Sequence, residues 1–95
     1  MVVGVLRLTL YIESSHSLKE KRAVLRKIKD RVRNEFNVSI AECGEHDLWQ
    51  KAQLGICQVG TDQAYIDGAL RAAIRFIEEL YVAEVREEEI EFLHY

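Results

Sequence analysis

Apolar and polar residues alternate at the start of the chain. Leu6, Leu8, Leu10 and Ile12 fall on one side of an extended backbone. This period of two predicts a long β-strand from Val2 to Glu13. The opposite side of that strand carries Val3, Val5, Arg7, Thr9 and Tyr11.

The pattern changes after the polar cluster at residues 14–17. Ser17 and Glu20 have the spacing of a capping box, in which each side chain accepts a hydrogen bond from a free amide at a helix start. A helix from about Leu18 to Glu35 is therefore predicted. Its apolar face consists of Leu18, Leu25, Ile28, Val32 and Phe36.

Two short segments rich in Val, Ile and small residues follow, Asn37 to Cys43 and Ala52 to Val59, and they predict a β-hairpin with a polar loop. Thr61 is the predicted N-cap of a second helix that ends near Leu80. The inward positions of this helix are Ile66, Leu70, Ala73, Ile77 and Leu80. The tail predicts a fourth strand, in which the alternation slips between Arg86 and Glu89.

The order strand, helix, strand, strand, helix, strand predicts an α+β fold, the ferredoxin-like βαββαβ sandwich. Both helices are expected on one face of a four-stranded antiparallel sheet, with the other face open. With 95 residues, the chain is predicted to be a single domain spanning residues 1–95.

Composition narrows the class of protein. No apolar run reaches the roughly 18 residues that a membrane span needs, and the N-terminal residues do not resemble a signal peptide. We therefore expect a cytoplasmic protein without membrane contact. Cys43 and Cys57 are expected to remain thiols, as is usual in a reducing compartment.

Charge is strongly segregated along the chain, although the formal net charge is only -3. Residues 16–34 hold eight Lys and Arg against two carboxylates, which gives +6, and residues 78–95 hold seven Glu against one Arg, which gives -6. Such an arrangement steers a charged partner toward one face even when net charge is small. The acidic total therefore does not exclude nucleic acid.

The basic segment predicts a stripe of five cations on one flank of the first helix, spanning about 21 Å. These cations are Lys19, Arg22, Arg26, Lys29 and Arg33. One hypothesis is that they contact nucleic-acid phosphates, with His16 and Lys21 near the helix start. The alternatives are a solvated face, with Asp30 pairing to Arg26 and Glu35 to Arg31, or an acidic protein partner.

The open sheet face offers a second candidate surface. We expect Val3, Val5, Tyr11 and Trp49 there, and homodimerisation explains their exposure more simply than RNA stacking, because the aromatic-glycine pattern of RNA-recognition sheets is absent. Trp49 is interpreted as a packing lid. The alternative, a base-stacking platform, requires an exposed ring near the basic stripe.

Enzymatic chemistry has weak support. The candidate groups near His16 are adjacent in sequence and do not predict a convergent catalytic constellation. Cys43 and His46 supply too few ligands for a metal site, and no glycine-rich phosphate loop precedes a helix. We predict no catalytic residue, no metal and no cofactor.

Several segments together resemble the YlxP-like bacterial family, whose domain is classed as one of unknown function. They are residues 16–22 (HSLKEKR), 36–39 (FNVS), 41–42 (AE), 47–50 (DLWQ) and 76–78 (FIE). The resemblance covers nearly the whole chain and implies a ferredoxin-like fold. It also implies a gene neighbourhood shared with translation initiation and small-subunit maturation factors, but no established activity. The most specific motif positions are His16, Ser17, Lys19, Lys21, Arg22, Asp47, Trp49 and Gln50.

The leading expectation is therefore a non-enzymatic accessory protein that binds RNA or the small ribosomal subunit through the basic first helix. A dimeric protein-interaction module is the alternative, and a small enzyme that uses His16 ranks last.

Overall fold

The computed structural model describes all residues from Met1 to Tyr95. Its elements are β1 (Val2–Tyr11), α1 (Leu18–Glu35), β2 (Ser39–Gly44), β3 (Lys51–Gly60), α2 (Gln63–Glu78) and β4 (Glu84–His94). The four strands form one antiparallel sheet in the order β2-β3-β1-β4. This is the predicted α+β ferredoxin-like architecture, with β2 and β4 at the two edges.

The core lies between the sheet and the two helices. Alternate residues of β1 and β3 point toward the helices and are fully buried, among them Leu6, Leu8, Leu54 and Ile56. Gly4 lies where α2 crosses β1, and a Cβ atom at this position would collide with Ile66. Close packing of α2 on the sheet therefore requires glycine at this point.

The helix boundaries follow from their caps. Ser17 Oγ accepts from the amide of Glu20, so the N-cap forms as predicted. The Glu20 carboxylate also accepts from a free amide at the helix start, at 2.6 Å, but this amide belongs to His16, one residue before the N-cap. The cap of α2 differs from the prediction. Asp62 accepts from the amide of Ala64, so Thr61 is not the N-cap, and the helix ends at Glu78 before Leu80.

A β-bulge accounts for the slip in the last strand. Thr9 pairs with Glu87 and Leu10 pairs with Val85, which leaves Arg86 without a partner on β1. One extra residue shifts the alternation and re-aims its side chain. The guanidinium of Arg86 lies 4.0 Å from the centre of the Tyr11 ring.

The first strand of the hairpin is shorter than predicted. It begins at Ser39, which pairs with Cys57, and not at Asn37. Cys43 is the unpaired residue of a second irregularity in β2. The sulfur of Cys43 lies over Gly55. Because Gly55 has no side chain, there is room for this sulfur.

Candidate nucleic-acid interface

The cations of α1 differ sharply from those of the rest of the protein. Outside the helix, Arg7, Lys51, Arg71 and Arg86 each have a carboxylate oxygen within 4.0 Å, and Arg75 does not. Of the eight cations in α1, only two have such a partner. The six without a carboxylate partner are Lys19, Arg22, Arg26, Lys27, Lys29 and Arg31.

The predicted intrahelical ion pairs do not form. Asp30 lies 3.7 Å from Arg33, not near Arg26, and Glu35 has no pair with Arg31. The interpretation of this face as one neutralised by its own carboxylates is therefore wrong in these details. Of the six cations, only Lys29 is half-buried, and the other five are exposed.

Arg33 is tied to the protein more firmly than the other members of the stripe. One of its guanidinium nitrogens donates to the main-chain carbonyl of Ile40 in β2 at 3.1 Å. Because the stripe residues share one flank, this contact places the flank on the β2 side of the helix. Lys19, Arg22, Arg26 and Lys29 remain for an external partner.

Lys21 lies in the interior and not on the predicted contact surface. Its side chain is 1% exposed. Its ammonium donates to the carbonyls of Glu45 and Leu48, both at 2.7 Å, and of Lys51 at 3.1 Å. The hypothesis that Lys21 contacts nucleic acid therefore needs correction, because this ammonium is enclosed and its three donors are in use.

The burial of Lys21 has a sequence signal that the charge pattern obscured. Lys21 precedes Leu25 by four residues, and Ile28 and Val32 continue the same face. All four are buried. The lysine thus occupies a core position of the helix and does not belong to the surface cations.

Two loops meet beside the start of α1. The side-chain amide of Gln50 donates to the carbonyls of Glu13 and Ser15, both at 3.1 Å. The carbonyl of Gln50 accepts from the amide of Ile12 at 2.7 Å. Together with Lys21, these bonds fix residues 45–50 against residues 12–15.

The motif segments divide into structural and exposed residues. Ser17, Lys21 and Gln50 make the hydrogen bonds that build this end of the protein. His16 is exposed, and its ring makes no hydrogen bond. Lys19, Arg22, Asp47 and Trp49 are likewise exposed.

Trp49 is not a packing lid. Its side chain is 57% exposed, in the loop between β2 and β3 and not on a strand. It lines a cleft of ≈ 360 Å³ together with Tyr11, Asp47 and Lys51. A second cleft, of ≈ 800 Å³, shares Tyr11 and Gln50 with the first and is lined by Arg86 and Tyr81.

The predicted sheet-face interface divides into two separate patches. Val3 and Val5 pair with Val59 and Cys57 at one end of the face. Tyr11 lies six residues beyond Val5 along β1, about 20 Å away at 3.3 Å per residue. The ion pair between Arg7 and Glu89 lies between the two ends.

Arg86 and Tyr81 line a cleft that the sequence pattern does not predict. The slip in the alternation near Arg86 was the available signal for the bulge, but the side of the sheet to which it turns the guanidinium depends on the pairing with β1. No periodicity in the sequence predicts the position of Tyr81, because this residue lies in the turn after α2, where it has a positive φ of 55°.

Potential metal ligands do not cluster in this protein. No group of three or more His, Cys, Asp or Glu side chains is arranged to hold a metal ion. Cys43 and Cys57 are free thiols. Neither helix has the length and hydrophobicity that crossing a bilayer requires.

Comparison with known proteins places the chain in a family. Residues 3–90 match the family described as "Protein of unknown function (DUF503)", and the chain belongs to this family. It is 40% identical over 77 residues to the "Uncharacterized protein YlxP" of Bacillus subtilis (strain 168), covering 81% of this chain and 84% of that protein. The resemblance seen in the motif segments is therefore confirmed.

Among solved structures, the chain is similar to the de novo designed protein Foldit4. The TM-score is 0.56 and the sequence identity is 16%, over 100% of this chain and 99% of the designed one. Because the identity is so low, this likeness concerns the arrangement of helices and strands alone.

Proposed function

We propose that the protein is a non-enzymatic accessory factor that binds structured RNA, including RNA of the small ribosomal subunit, through α1. The observation that carries the proposal is that four cations of the stripe have no carboxylate partner in a chain with 16 Asp and Glu. They are Lys19, Arg22, Arg26 and Lys29. Exposed cations without internal partners are free to replace the counterions of a polyphosphate backbone.

The arrangement of the two charged regions supports this proposal. α1 packs against β2 and α2 and not against β4, which carries five of the glutamates at the opposite edge of the sheet. Three inter-strand spacings separate these edges, about 14 Å. This exceeds the Debye length of about 8 Å at physiological ionic strength, so the glutamates are largely screened from an anion on α1.

Two pairs of substitutions test the proposal at equal charge. Arg22→Gln with Arg26→Gln removes two cations from the stripe, and Lys27→Gln with Arg31→Gln removes two from the other flank. Anisotropy of a labelled RNA hairpin across a sodium chloride series gives the slope of log K against log salt. Four stripe contacts predict a slope of roughly -3 to -4.

The stripe variant should lower the magnitude of that slope by roughly 1.5, because two phosphate contacts are lost, and the control should retain the wild-type slope. Co-sedimentation with small ribosomal subunits should likewise be weakened in the stripe variant and retained in the control variant. Equal losses in the two variants would indicate diffuse attraction without a defined flank. Absence of binding by the wild type at low salt would refute the proposal.

A second candidate function is self-association through the apolar end of the open sheet face. Val59 is 60% exposed and Leu93 is 43% exposed, and they flank Val3 on the neighbouring strands. Val59→Lys should then convert a dimer to a monomer in sedimentation equilibrium, since a buried unpaired cation is costly at an interface. A monomeric wild-type protein would eliminate this candidate.

A further inference from the structure

The cleft lined by Tyr11 and Trp49 is not part of the phosphate-contact surface proposed for α1, yet it has features of a recognition site. Two aromatic rings line one cleft of ≈ 360 Å³, and the larger cleft continues from it past Tyr11 and Gln50. The smaller volume lies within the range of about 300–1,000 Å³ that is typical of ligand sites.

The backbone on both sides of the tryptophan in this cleft is fixed before any ligand arrives. The carbonyls of Leu48 and Lys51, on either side of it, accept hydrogen bonds from the buried ammonium of Lys21. The adjacent Gln50 anchors the loop through both its side chain and its main chain. An exposed ring on a fixed backbone loses little conformational entropy when a partner stacks on it.

The charged side chains that line the two clefts restrict the kind of ligand that can bind there. Lys51 pairs with Glu45 at 3.9 Å, and Arg86 pairs with Glu84 at 3.3 Å, so both cations of the clefts already have a carboxylate. Asp47 and Glu13 add acceptors without a cation of their own. The lining therefore disfavours a phosphate and suits a planar, uncharged group with N–H donors.

We infer that the cleft between Tyr11 and Trp49 receives an unpaired nucleobase of the RNA whose phosphates contact α1. This inference rests on the proposed function. Stacking on aromatic side chains is the usual way in which proteins hold splayed-out RNA bases, and carboxylates accept hydrogen bonds from their exocyclic amino groups. Lys21 ties the start of α1, where Lys19 and Arg22 lie, to the loop that carries Trp49.

Trp49 is the only tryptophan of the chain, so its fluorescence reports directly on the cleft. The probes are a fully paired RNA duplex and the same duplex with three unpaired adenosines in a bulge. The wild-type protein should bind the bulged RNA more tightly and lose Trp49 fluorescence only with that RNA. A stacked base is worth roughly 5- to 100-fold in affinity by alanine substitution.

Trp49→Ala should therefore weaken binding of the bulged RNA by roughly that factor and leave the paired duplex unaffected. Trp49→Phe should retain most of the preference, because the stacking surface remains. Tyr65→Ala removes another exposed aromatic ring, on α2 and outside both clefts, and is the matched control. Circular dichroism establishes that each variant is folded.

The outcomes separate this inference from the proposed function. If labelled RNA binds with the salt slope expected of α1, but Trp49→Ala and the fluorescence show no effect, the nucleobase site is overturned and the proposed function stands. If an arginine-rich peptide quenches Trp49 and the bulged RNA does not, the cleft serves a cationic protein segment and the inference is wrong. If neither RNA binds at low salt, both fail.

Discussion

Lys21 of α1 and Glu42 of β2 form an enclosed ion pair, with 3.0 Å between Nζ and Oε2. The three hydrogen bonds of the ammonium go to main-chain carbonyls, so the buried Oε2 atom of Glu42 receives charge but no directed hydrogen bond. One lysine thus holds helix, strand and loop together. Its partners are on β2, on β3 and in the loop that carries Trp49.

Replacing Lys21 with Met should destabilise the protein by about 3–5 kcal/mol, because one carboxylate and three carbonyls lose their partner in the interior. Urea denaturation followed by circular dichroism measures the free energy of unfolding. Lys27→Met, at an exposed position of the same helix, should change it by less than about 0.5 kcal/mol. A loss below about 1 kcal/mol at Lys21 would contradict the assigned role.

The same site predicts an asymmetry between the two partners. Glu42→Gln leaves the three carbonyl bonds of Lys21 intact, so its cost should be smaller, about 1–2 kcal/mol. In the double variant Lys21→Met with Glu42→Gln, part of the loss at Lys21 should be recovered, since no unpaired charge stays buried. Strict additivity in this double-mutant cycle would exclude coupling between the two side chains.

Gln50→Ala removes both side-chain hydrogen bonds between the two loops. We expect a loss of about 1–2 kcal/mol in the free energy of unfolding and faster local motion of Trp49. Time-resolved anisotropy of the single tryptophan measures this motion. Gln63→Ala, at the exposed start of α2, should leave the anisotropy decay unchanged. An unaltered decay in both variants would show that the side-chain hydrogen bonds of Gln50 are not needed to fix the loop.

Two glycines should respond in opposite directions to the same substitution. Gly4→Ala places a methyl group against Ile66 and within 3.0 Å of Leu70, so it should destabilise the protein by about 1–3 kcal/mol. At Gly68, inside α2, the added group meets nothing within 4 Å apart from its chain neighbours and the helix's own backbone. Gly68→Ala should stabilise by about 0.5–1 kcal/mol through helix propensity, and thermal unfolding of the two variants measures both effects.

The periodicity of the first helix shows why local pattern predicts so much of this fold. The apolar positions Leu25, Ile28 and Val32 follow one face of a helix, and the capping box marks its start at Ser17. Both signals arise within a few residues along the chain, where geometry is fixed by the helical repeat. The order of elements then left one economical packing of two helices on a four-stranded sheet.

The surfaces depended on contacts between distant residues. In the sequence, Lys21 is one of many cations in a basic segment. In the fold, its ammonium is enclosed by carbonyls of residues that lie 24 to 30 positions further along the chain. Arg33 likewise joined β2 through the carbonyl of Ile40. A charge count along the sequence does not distinguish a solvated cation from one whose hydrogen bonds are satisfied inside.

Local spacing and motif residues are enough to predict the elements, their order, the family and the concentration of positive charge on one helix. Three properties need the folded chain: which cations remain free, the exposure of Trp49, and the bulge that turns Arg86 over Tyr11. These properties arise from strand register and loop packing. A shift of one residue in the strand register would turn the same side chains to the opposite face of the sheet.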